Sequence, residues 1–206
     1  MSLPTPYYDH GGITIYHADA RDVLPLLRPV DLLLTDPPYG HGADKWSGGT
    51  WASNPIYDEA KTWDTAPVDQ GLLDASVALA AQAIVWGGNY YRLPPSRCWL
   101  SWLKSSRMAT MADFELAWTN LDRPAKAFEE DRNPDGKRWH PTQKPLALFR
   151  WCLDMTGPQT VLDPFMGSGT TLRAAKDLGL RAIGIDRIER YCSVAATRLQ
   201  QEVLFA

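Results

Sequence analysis

The chain has 206 residues, of which 45% are hydrophobic and 22% charged, and its formal net charge is -3. These values suit one globular domain with a sizeable core. No stretch of the sequence approaches the roughly 18 consecutive apolar residues that a membrane span requires, so we do not expect a membrane-spanning protein. The start of the chain has no apolar signal core, so we expect a cytoplasmic protein.

In chain order, seven short runs rich in β-branched, aromatic and leucine residues predict strands at 13–17, 31–36, 83–87, 98–104, 114–119, 160–163 and 181–186. Apolar spacing and composition predict helices at 70–82, 145–155, 170–178 and 189–200. Alternating strands and helices of this kind are typical of an α/β fold with a mainly parallel sheet. Two segments, 40–69 and 122–140, show neither pattern, and long loops in compact domains are usually functional or mobile.

Cysteine usage and charge distribution bear on metals and partners. Cys98, Cys152 and Cys192 are far apart and form no CxxC pair, so we predict buried thiols, no disulfide and no bound metal. Residues 92–150 contain eleven Lys and Arg against seven Asp and Glu. This excess is compatible with a local basic face for nucleic acid, and equally with ordinary surface charge.

The run Thr35-Asp36-Pro37-Pro38-Tyr39-Gly40 follows the second apolar strand. The exocyclic amine of adenine or cytosine is a poor nucleophile, because its lone pair is delocalised into the ring. A carboxylate from Asp36 and the carbonyl of Pro37 are suited to accept the two amine hydrogens and favour a pyramidal nitrogen. The prolines set the turn without a competing N–H, and Tyr39 is suited to stack on a flipped base. The alternative interpretation is a strand terminator followed by a core tyrosine.

A second run, Val-Leu-Asp-Pro-Phe-Met-Gly-Ser-Gly-Thr-Thr at 161–171, predicts a strand that passes through a glycine turn into a helix. Gly167 and Gly169 permit a tight turn and close ligand approach, and the helix N-terminus offers N–H groups to a carboxylate. Asp186 ends the next predicted strand, a position that commonly binds ribose hydroxyls. The loop lacks the third glycine of the dinucleotide fingerprint, which favours S-adenosyl-L-methionine over NAD.

A third run, His140-Pro141-Thr142-Gln143-Lys144-Pro145, precedes the predicted helix at 145–155. Thr142 or Gln143 is a candidate cap for that helix, and Pro145 suits its first turn. Lys144 is explained equally well as a surface charge, so no catalytic role is predicted for it.

Together these three runs resemble the amino-group DNA methyltransferases of the N4/N6 family, over about 13–199. Their order, with DPPY first and the cofactor loop last, resembles the permuted β group. The resemblance implies a Rossmann-like seven-stranded sheet flanked by helices in circularly permuted order, with the predicted strands standing third to seventh and then first and second. The strand tips at Asp36 and Asp163 would then be neighbours at the switch point of the sheet, where α/β ligands bind.

The resemblance also implies site residues. At the target base they are Asp36, Pro37, Pro38 and Tyr39. Asp186 would hold the cofactor ribose, Asp19 would lie near its adenine amine and Thr142 near its methionine tail. The full set implied at S-adenosyl-L-methionine is Asp19, Ala20, Asp36, Thr142, Asp163, Phe165, Gly167, Ser168, Gly169, Thr170, Asp186 and Arg187.

We predict a single methyltransferase domain at 1–206, with a catalytic half at 1–120, a short candidate recognition segment at 121–139 and a cofactor-binding half at 140–206. The segment 40–69 is predicted to be a mobile loop. Family members with this motif order usually carry a larger recognition region, so either the two long loops read a short site or a second subunit, as in a homodimer, completes the surface. Aromatic and basic residues of the first loop are suited to close over DNA: Lys45, Trp46, Trp51, Tyr57, Lys61 and Trp63.

The predicted function is site-specific adenine-N6 methylation of double-stranded DNA by direct methyl transfer to a flipped-out base, as in restriction–modification. Cytosine-N4 methylation is the nearest alternative, although those enzymes more often have Ser in place of Asp36. Methylation of RNA adenine or of a protein glutamine is a further alternative. The motif order disfavours it, because those enzymes typically place the cofactor loop before the PPY motif. A non-catalytic cofactor-binding or DNA-binding subunit is the alternative of a different class, and the intact DPPY motif disfavours it.

Overall fold

Strands and helices alternate along the chain. The structure, a computed structural model, describes residues 2–40, 66–106, 112–132, 134, 136, 139 and 143–200. Its strands are β1 (Tyr8–His10), β2 (Ile13–His17), β3 (Val30–Thr35), β4 (Ala80–Trp86), β5 (Leu100–Lys104), β6 (Phe114–Thr119), β7 (Lys126–Glu130), β8 (Thr160–Asp163) and β9 (Arg181–Asp186). Its α-helices are α1 (Ala20–Val23), α2 (Gln70–Ala78), α3 (Leu146–Thr156), α4 (Thr170–Asp177) and α5 (Glu189–Gln200).

Within the described residues the strands form one sheet in the order β1-β2-β9-β8-β3-β4-β6-β5-β7. The five strands from β2 to β4 in that order are mutually parallel, whereas β6 runs antiparallel to both β4 and β5. This mixed α/β sheet with flanking helices confirms the predicted fold class. In the described part of the chain it has nine strands where seven were predicted, because β1 and β7 add one strand at each edge. The spatial order is compatible with a circular permutation, which stays a prediction. No helix in the described ranges has both the length and the apolar character needed to cross a membrane.

Both faces of the sheet are covered, which explains the nearly continuous apolar runs of the central strands. Successive residues of β3 alternate between the two cores: Leu32 and Leu34 pack on one side and Leu33 on the other. The first core includes apolar residues of α3, α4 and α5, and the second includes Leu72 and Leu73 of α2. The sheet is therefore covered by an apolar core on each face, and it supports the loops at its carboxyl edge.

The switch point lies between β3 and β8, which pair in parallel through Leu32 with Val161 and Leu33 with Leu162. Each strand is followed at this edge by one of the motif runs. The hydroxyl of Thr35, at the end of β3, donates to Oδ1 of Asp163 at 2.7 Å. The strand that precedes DPPY and the strand that precedes the glycine loop are thus joined at their tips, as the resemblance implied.

One misplaced helix end and one strand that was not predicted have a common cause. The helix predicted at 70–82 ends at Ala78, and Ala80 begins β4 by pairing with Val30. The segment 122–140, predicted to lack regular structure, contains edge strand β7, which pairs in parallel with β5. In β7, Phe128 packs against the core, and one apolar contact in five residues leaves no periodic signal. Strand pairing, which is non-local, outweighed local propensity in both places.

Candidate active site

Asp36 lies one residue beyond β3, with its side chain 18% exposed, next to the buried Pro37. Both of its carboxylate oxygens accept hydrogen bonds. The hydroxyl of Tyr39 donates to Oδ1, and Nζ of Lys144 donates to Oδ2 at 2.6 Å. The carboxylate predicted to accept an amine hydrogen is therefore held from two sides at the edge of the sheet.

The DPPY turn is also anchored through its backbone. The carbonyl of Pro38 accepts hydrogen bonds from the Tyr91 hydroxyl and, at 3.2 Å, from the Val68 amide. Tyr91 follows β4, and Val68 precedes α2, so two other segments fix the orientation of the turn. The role predicted for the Pro37 carbonyl at the target amine stays a prediction.

Tyr39 is placed by close packing against the turn after β4. A Cβ atom added to Gly87 would collide with the Tyr39 ring, and Gly87 has a φ of +67°. A glycine is required there on both counts. The Tyr39 ring stacks on Tyr90 with centroids 5.0 Å apart and planes 25° apart. Because Tyr90 is 48% exposed, this aromatic pair extends from the DPPY turn to the surface.

Lys144 is the residue that the sequence interpretation missed. It is buried, and its ammonium group contacts the carboxylates of Asp36 at 2.6 Å and Glu115 at 3.0 Å. It also lies 3.3 Å from the Tyr39 hydroxyl. The interpretation as a surface charge is wrong. The available signal was its place in HPTQKP, but that run reads locally as a helix start, and the partners of Lys144 are remote in sequence.

The predicted capping role within HPTQKP is also corrected. Helix α3 has Pro145 as its N-cap residue and no side-chain capping hydrogen bond. The side-chain amide oxygen of Gln143, Oε1, instead accepts a hydrogen bond from the Trp139 backbone amide at 2.9 Å. Thr142 lies outside the described residues, as do residues 41–65 of the loop predicted at 40–69.

Burial and neighbouring charges raise the pKa values of Asp36, Tyr39 and Lys144. Burial raises the pKa of Asp36, although Lys144 opposes the shift. Burial also raises the pKa of Tyr39 well above its usual value, and the adjacent Asp36 adds to this. Burial would lower the pKa of Lys144, but the carboxylates of Asp36 and Glu115 outweigh it and raise that pKa. The buried ammonium and its two carboxylates therefore stabilise each other's charged forms.

The glycine loop lies between β8 and α4, with Gly167 and Gly169 at φ values of +49° and +74°. The Gly167 amide donates to Oδ2 of Asp186 at 3.0 Å, and the Ile188 amide donates to Oδ1 at 2.8 Å. Asp186 thus lies directly beneath the loop at the tip of β9. Burial raises the pKa of Asp186 to about 7 against these two backbone donors.

A second residue that sequence reasoning missed is Arg198, near the end of α5. Its buried guanidinium donates from Nη1 to the Ser168 carbonyl at 2.6 Å and contacts the Ser168 hydroxyl at 3.1 Å. In addition, a Cβ atom on Gly169 would come within 2.7 Å of the Ala195 Cβ. Helix α5 therefore packs against one side of the glycine loop, and the strand tips lie on the other side of the loop.

Asp163 ends β8 and connects the two motif runs. Its Oδ1 accepts from the Thr35 hydroxyl and, at 3.2 Å, from the Phe165 amide, while Oδ2 accepts from the Thr171 hydroxyl at 2.5 Å. The side chain is buried. These contacts show how Asp163 shapes the loop, whereas its predicted attraction for a sulfonium stays a prediction.

We expect Asp163 to make stability depend on pH. Burial raises its pKa from 3.8 to about 6, so the native protein holds a proton between these values that the unfolded chain has released. The unfolding free energy therefore falls as pH rises through this window, by at most about 1.4 kcal/mol per pH unit. The measurement is urea unfolding of the wild type and of Asp163→Asn at a series of pH values. The asparagine variant should become more stable relative to the wild type as the pH rises from 3.8 to about 6. A difference that stays constant would contradict this assignment.

The other residues implied at the cofactor surround the same edge. His17, the last residue of β2, pairs with Asp186, and the Ala18 amide donates to the Asp186 carbonyl at 3.1 Å. Asp19 follows and caps α1 by accepting from the Arg21 amide at 2.9 Å. Ala20 and Thr170 are buried, Phe165 is partly buried and Arg187 is exposed. The two loops after β2 and β9 are thus adjacent, as a ligand lying across these strand tips requires.

This donor set fits S-adenosyl-L-methionine. A carboxylate at the tip of β9, two glycines with positive φ and the N-terminus of α4 offer acceptors for ribose hydroxyls and N–H donors for an amino acid carboxylate. In the part of the chain that the structure describes, no three His, Cys, Asp or Glu side chains are grouped as metal ligands. The described cysteines are buried and free, as predicted.

An α/β sheet with a held carboxylate at one strand tip and a glycine loop at the adjacent tip defines a nucleotide-cofactor enzyme of the Rossmann-like class. The DNA methylase model of the N6/N4 methyltransferases matches residues 84–197, more than half of the sequence. The chain belongs to the N6/N4 DNA methylase family. S-adenosyl-L-methionine is the methyl donor of that family, which confirms the cofactor prediction and the resemblance.

Individual relatives agree with this family. The chain is 26% identical over 257 aligned positions to the Type II methyltransferase M2.DpnII of Streptococcus pneumoniae, covering 97% of this chain and 94% of that protein. It is 44% identical over 75 residues to M.HinfI of Haemophilus influenzae, a match to 35% of this chain and 21% of that protein. The M1.HpyAVI–SAM complex has a similar fold, with a TM-score of 0.62 and 24% identity over 92% of this chain and 100% of that chain.

Proposed function

We propose that this protein is a site-specific DNA adenine-N6 methyltransferase that uses S-adenosyl-L-methionine on a base flipped out of the duplex. The observation that carries the proposal is the Asp36 carboxylate, fixed at a strand tip beside the strand that leads into the cofactor loop. An acceptor at that place is suited to an amine hydrogen of the target base.

The chain's own residues then divide the work. The carboxylate of Asp36 orients the amine and stabilises the positive charge that develops on its nitrogen. Tyr39 offers the flat face on which an extruded base stacks. Asp186 and the Gly167–Gly169 turn hold the cofactor at the neighbouring tip, and the bound cofactor supplies an electrophilic methyl group on its sulfonium. Both reactants are thereby brought together at the edge where β3 and β8 are joined.

The choice of adenine over cytosine rests on the aspartate of the motif, since cytosine-N4 enzymes more often have serine there. Cytosine N4 is the alternative, because both bases present an amine next to a ring nitrogen. The test is methylation of unmodified genomic DNA by the purified protein, followed by mass spectrometry of the nucleosides. N6-methyladenine is the expected product. N4-methylcytosine without N6-methyladenine would overturn the adenine assignment and retain the family chemistry.

Recognition of DNA is the second part of the proposal. We assign the short segment 121–139, the loop at 40–69 and a second copy of the chain as the candidates for reading a specific site within a restriction–modification system. Single-molecule sequencing of host DNA that expresses the protein reports the modified base with its sequence context. Light scattering of the protein, with and without a DNA duplex that contains the site so identified, then shows whether a dimer forms.

We expect two substitutions of Tyr39 to separate its ring from its hydroxyl. Tyr39→Phe keeps the stacking surface but removes the hydrogen bond to Asp36, which costs about tenfold in methyl transfer. Tyr39→Ala also removes the stack, and base–aromatic stacking is worth about 1–3 kcal/mol, so the further loss is about fivefold to a hundredfold. The measurement is kcat/KM on a DNA duplex. Equal losses in the two variants would contradict a stacking role for the ring.

A further inference from the structure

Four charged side chains form a continuous series of ion pairs that leads away from Asp36, in which two buried lysines alternate with two partly buried carboxylates. Asp36 contacts Lys144 at 2.6 Å, Lys144 contacts Glu115 at 3.0 Å, and Glu115 contacts Lys104 at 2.5 Å. The exposed fractions of the two lysine side chains are 4% for Lys144 and 6% for Lys104. This series of ion pairs begins at the DPPY turn, passes through Lys144 in the segment before α3, and ends at Glu115 on β6 and Lys104 on β5.

We propose that Lys144 is a positioning residue for methyl transfer: its ammonium group fixes the orientation of the Asp36 carboxylate and keeps it ionised, while Glu115 and Lys104 hold Lys144 in place. This inference rests on the proposed function, in which Asp36 acts on the target amine. Lys144 is not assigned contact with the base or the cofactor.

The hydrogen-bond geometry supports this role. An ammonium group has three hydrogens, and Lys144 has three oxygen neighbours, in Asp36 at 2.6 Å, Glu115 at 3.0 Å and the Tyr39 hydroxyl at 3.3 Å. With its three directions so used, Nζ has a single position. Oδ2 of Asp36 is thereby held on the Lys144 side, while Oδ1 faces Tyr39.

Charge balance explains why the chain continues beyond Lys144. A lone lysine or carboxylate is expensive to bury, and removing one partner of a buried pair leaves the other uncompensated. Two cations and two anions alternate here, so the whole set is formally neutral. Burial alone would raise the pKa of Glu115, but Lys144 and Lys104 together lower it to about 2. Glu115 therefore remains an anion that secures Lys144.

The electrostatic surroundings of Asp36 come from several elements. Lys144 favours its ionised form, whereas Glu115 on β6 disfavours it, as does Asp163 on β8 when Asp163 is itself ionised. Tyr39, on the same turn, donates a hydrogen bond to it. A neutral residue at position 144 therefore leaves Asp36 buried beside like charges, and we expect its protonation at higher pH.

The test compares pH profiles of methyl transfer at saturating cofactor and DNA. Lys144→Met removes the charge at nearly constant length, Lys144→Arg retains it, and Glu115→Gln removes an anion near Asp36. The control is Arg28→Met, which removes an exposed cation at the end of the loop before β3. Melting curves verify that each variant is folded.

We expect Lys144→Met to move the acid limb of kcat upward by about one pH unit or more, since an opposite charge at this range lowers an aspartate pKa by about 1–3 units. Activity that the variant loses at low pH returns as the pH is raised. Lys144→Arg keeps the acid limb close to that of the wild type. Glu115→Gln moves it in the opposite direction, and Arg28→Met leaves it unchanged. A merely structural lysine would lower kcat equally at every pH, which would overturn the proposal.

A carboxyl titration by carbon-13 NMR, with the Asp36 signal assigned from Asp36→Asn, tests the same inference without catalysis. A higher Asp36 pKa in Lys144→Met supports the proposal, and an unchanged pKa refutes it. If the wild type transfers no methyl group to DNA, the proposed function fails while this titration still decides the role of Lys144. If Lys144→Met does not fold, two other variants decide the role of Lys144. The proposal then requires a downward shift of the acid limb in Glu115→Gln and an acid limb close to that of the wild type in Lys144→Arg.

Discussion

Replacing Asp36 with alanine is expected to reduce methyl transfer by at least about 10³-fold, while cofactor affinity changes little. Loss of one preorganised group that stabilises developing charge typically costs about 10²–10³-fold. In the proposed function Asp36 also orients the amine before reaction, which adds to this loss. Its carboxylate is held by Tyr39 and Lys144, whereas the loop at Gly167 is held by Asp186 on another strand. The two losses are therefore separable.

Asp36→Ala should still fold, because the buried Lys144 retains Glu115 as a counter-ion at 3.0 Å. Asp36→Asn is the matched variant of similar shape. Its amide nitrogen would face donors, so we expect nearly the same loss of activity. Asp154→Ala, an exposed carboxylate on α3, is the control for a general loss of negative charge. The measurements are single-turnover rates and calorimetric cofactor binding. Unchanged turnover in Asp36→Ala would refute the role assigned to this carboxylate.

Replacing Asp186 with alanine is expected to have the opposite profile. Cofactor affinity should fall by about tenfold to a hundredfold, since hydrogen bonds to a charged group are worth about 1.5–3 kcal/mol. Turnover at saturating cofactor should change much less. The carboxylate accepts from the amides of Gly167 and Ile188, so its removal loosens the loop as well as the predicted ribose contact.

A cofactor analogue that lacks the ribose hydroxyls separates those two effects. The loop is also supported from behind by Arg198, whose guanidinium donates to the Ser168 carbonyl. If Asp186 acts through ribose contacts, Asp186→Ala and Asp186→Asn should weaken S-adenosyl-L-methionine much more than a cofactor analogue that lacks the ribose hydroxyls. Equal weakening of the two ligands would show that the carboxylate only supports the loop. The binding constants are measured by calorimetry for both ligands.

Comparison with the predicted elements shows where local sequence was sufficient. The helix at 189–200 and the strands at 13–17, 114–119, 160–163 and 181–186 have the predicted bounds. Each has a dense apolar pattern that matches its period. By contrast, β7 has a single core residue, and Ala80 has a helix-forming side chain in a strand. Those two places depend on pairing with remote strands, which local composition does not encode.

The same division applies to the site. The amino acid sequence by itself determined the α/β fold, the DPPY turn, the glycine loop and the acid at the tip of β9, because each is a short run whose spacing alone restricts the backbone. The tertiary structure decided the role of Lys144, which lies 108 residues from Asp36 in sequence yet 2.6 Å from it in space. It likewise brought Glu115, Lys104 and Arg198 to the site. A buried charge is recognised by its partners, and partners from separate strands meet only when the sheet has formed.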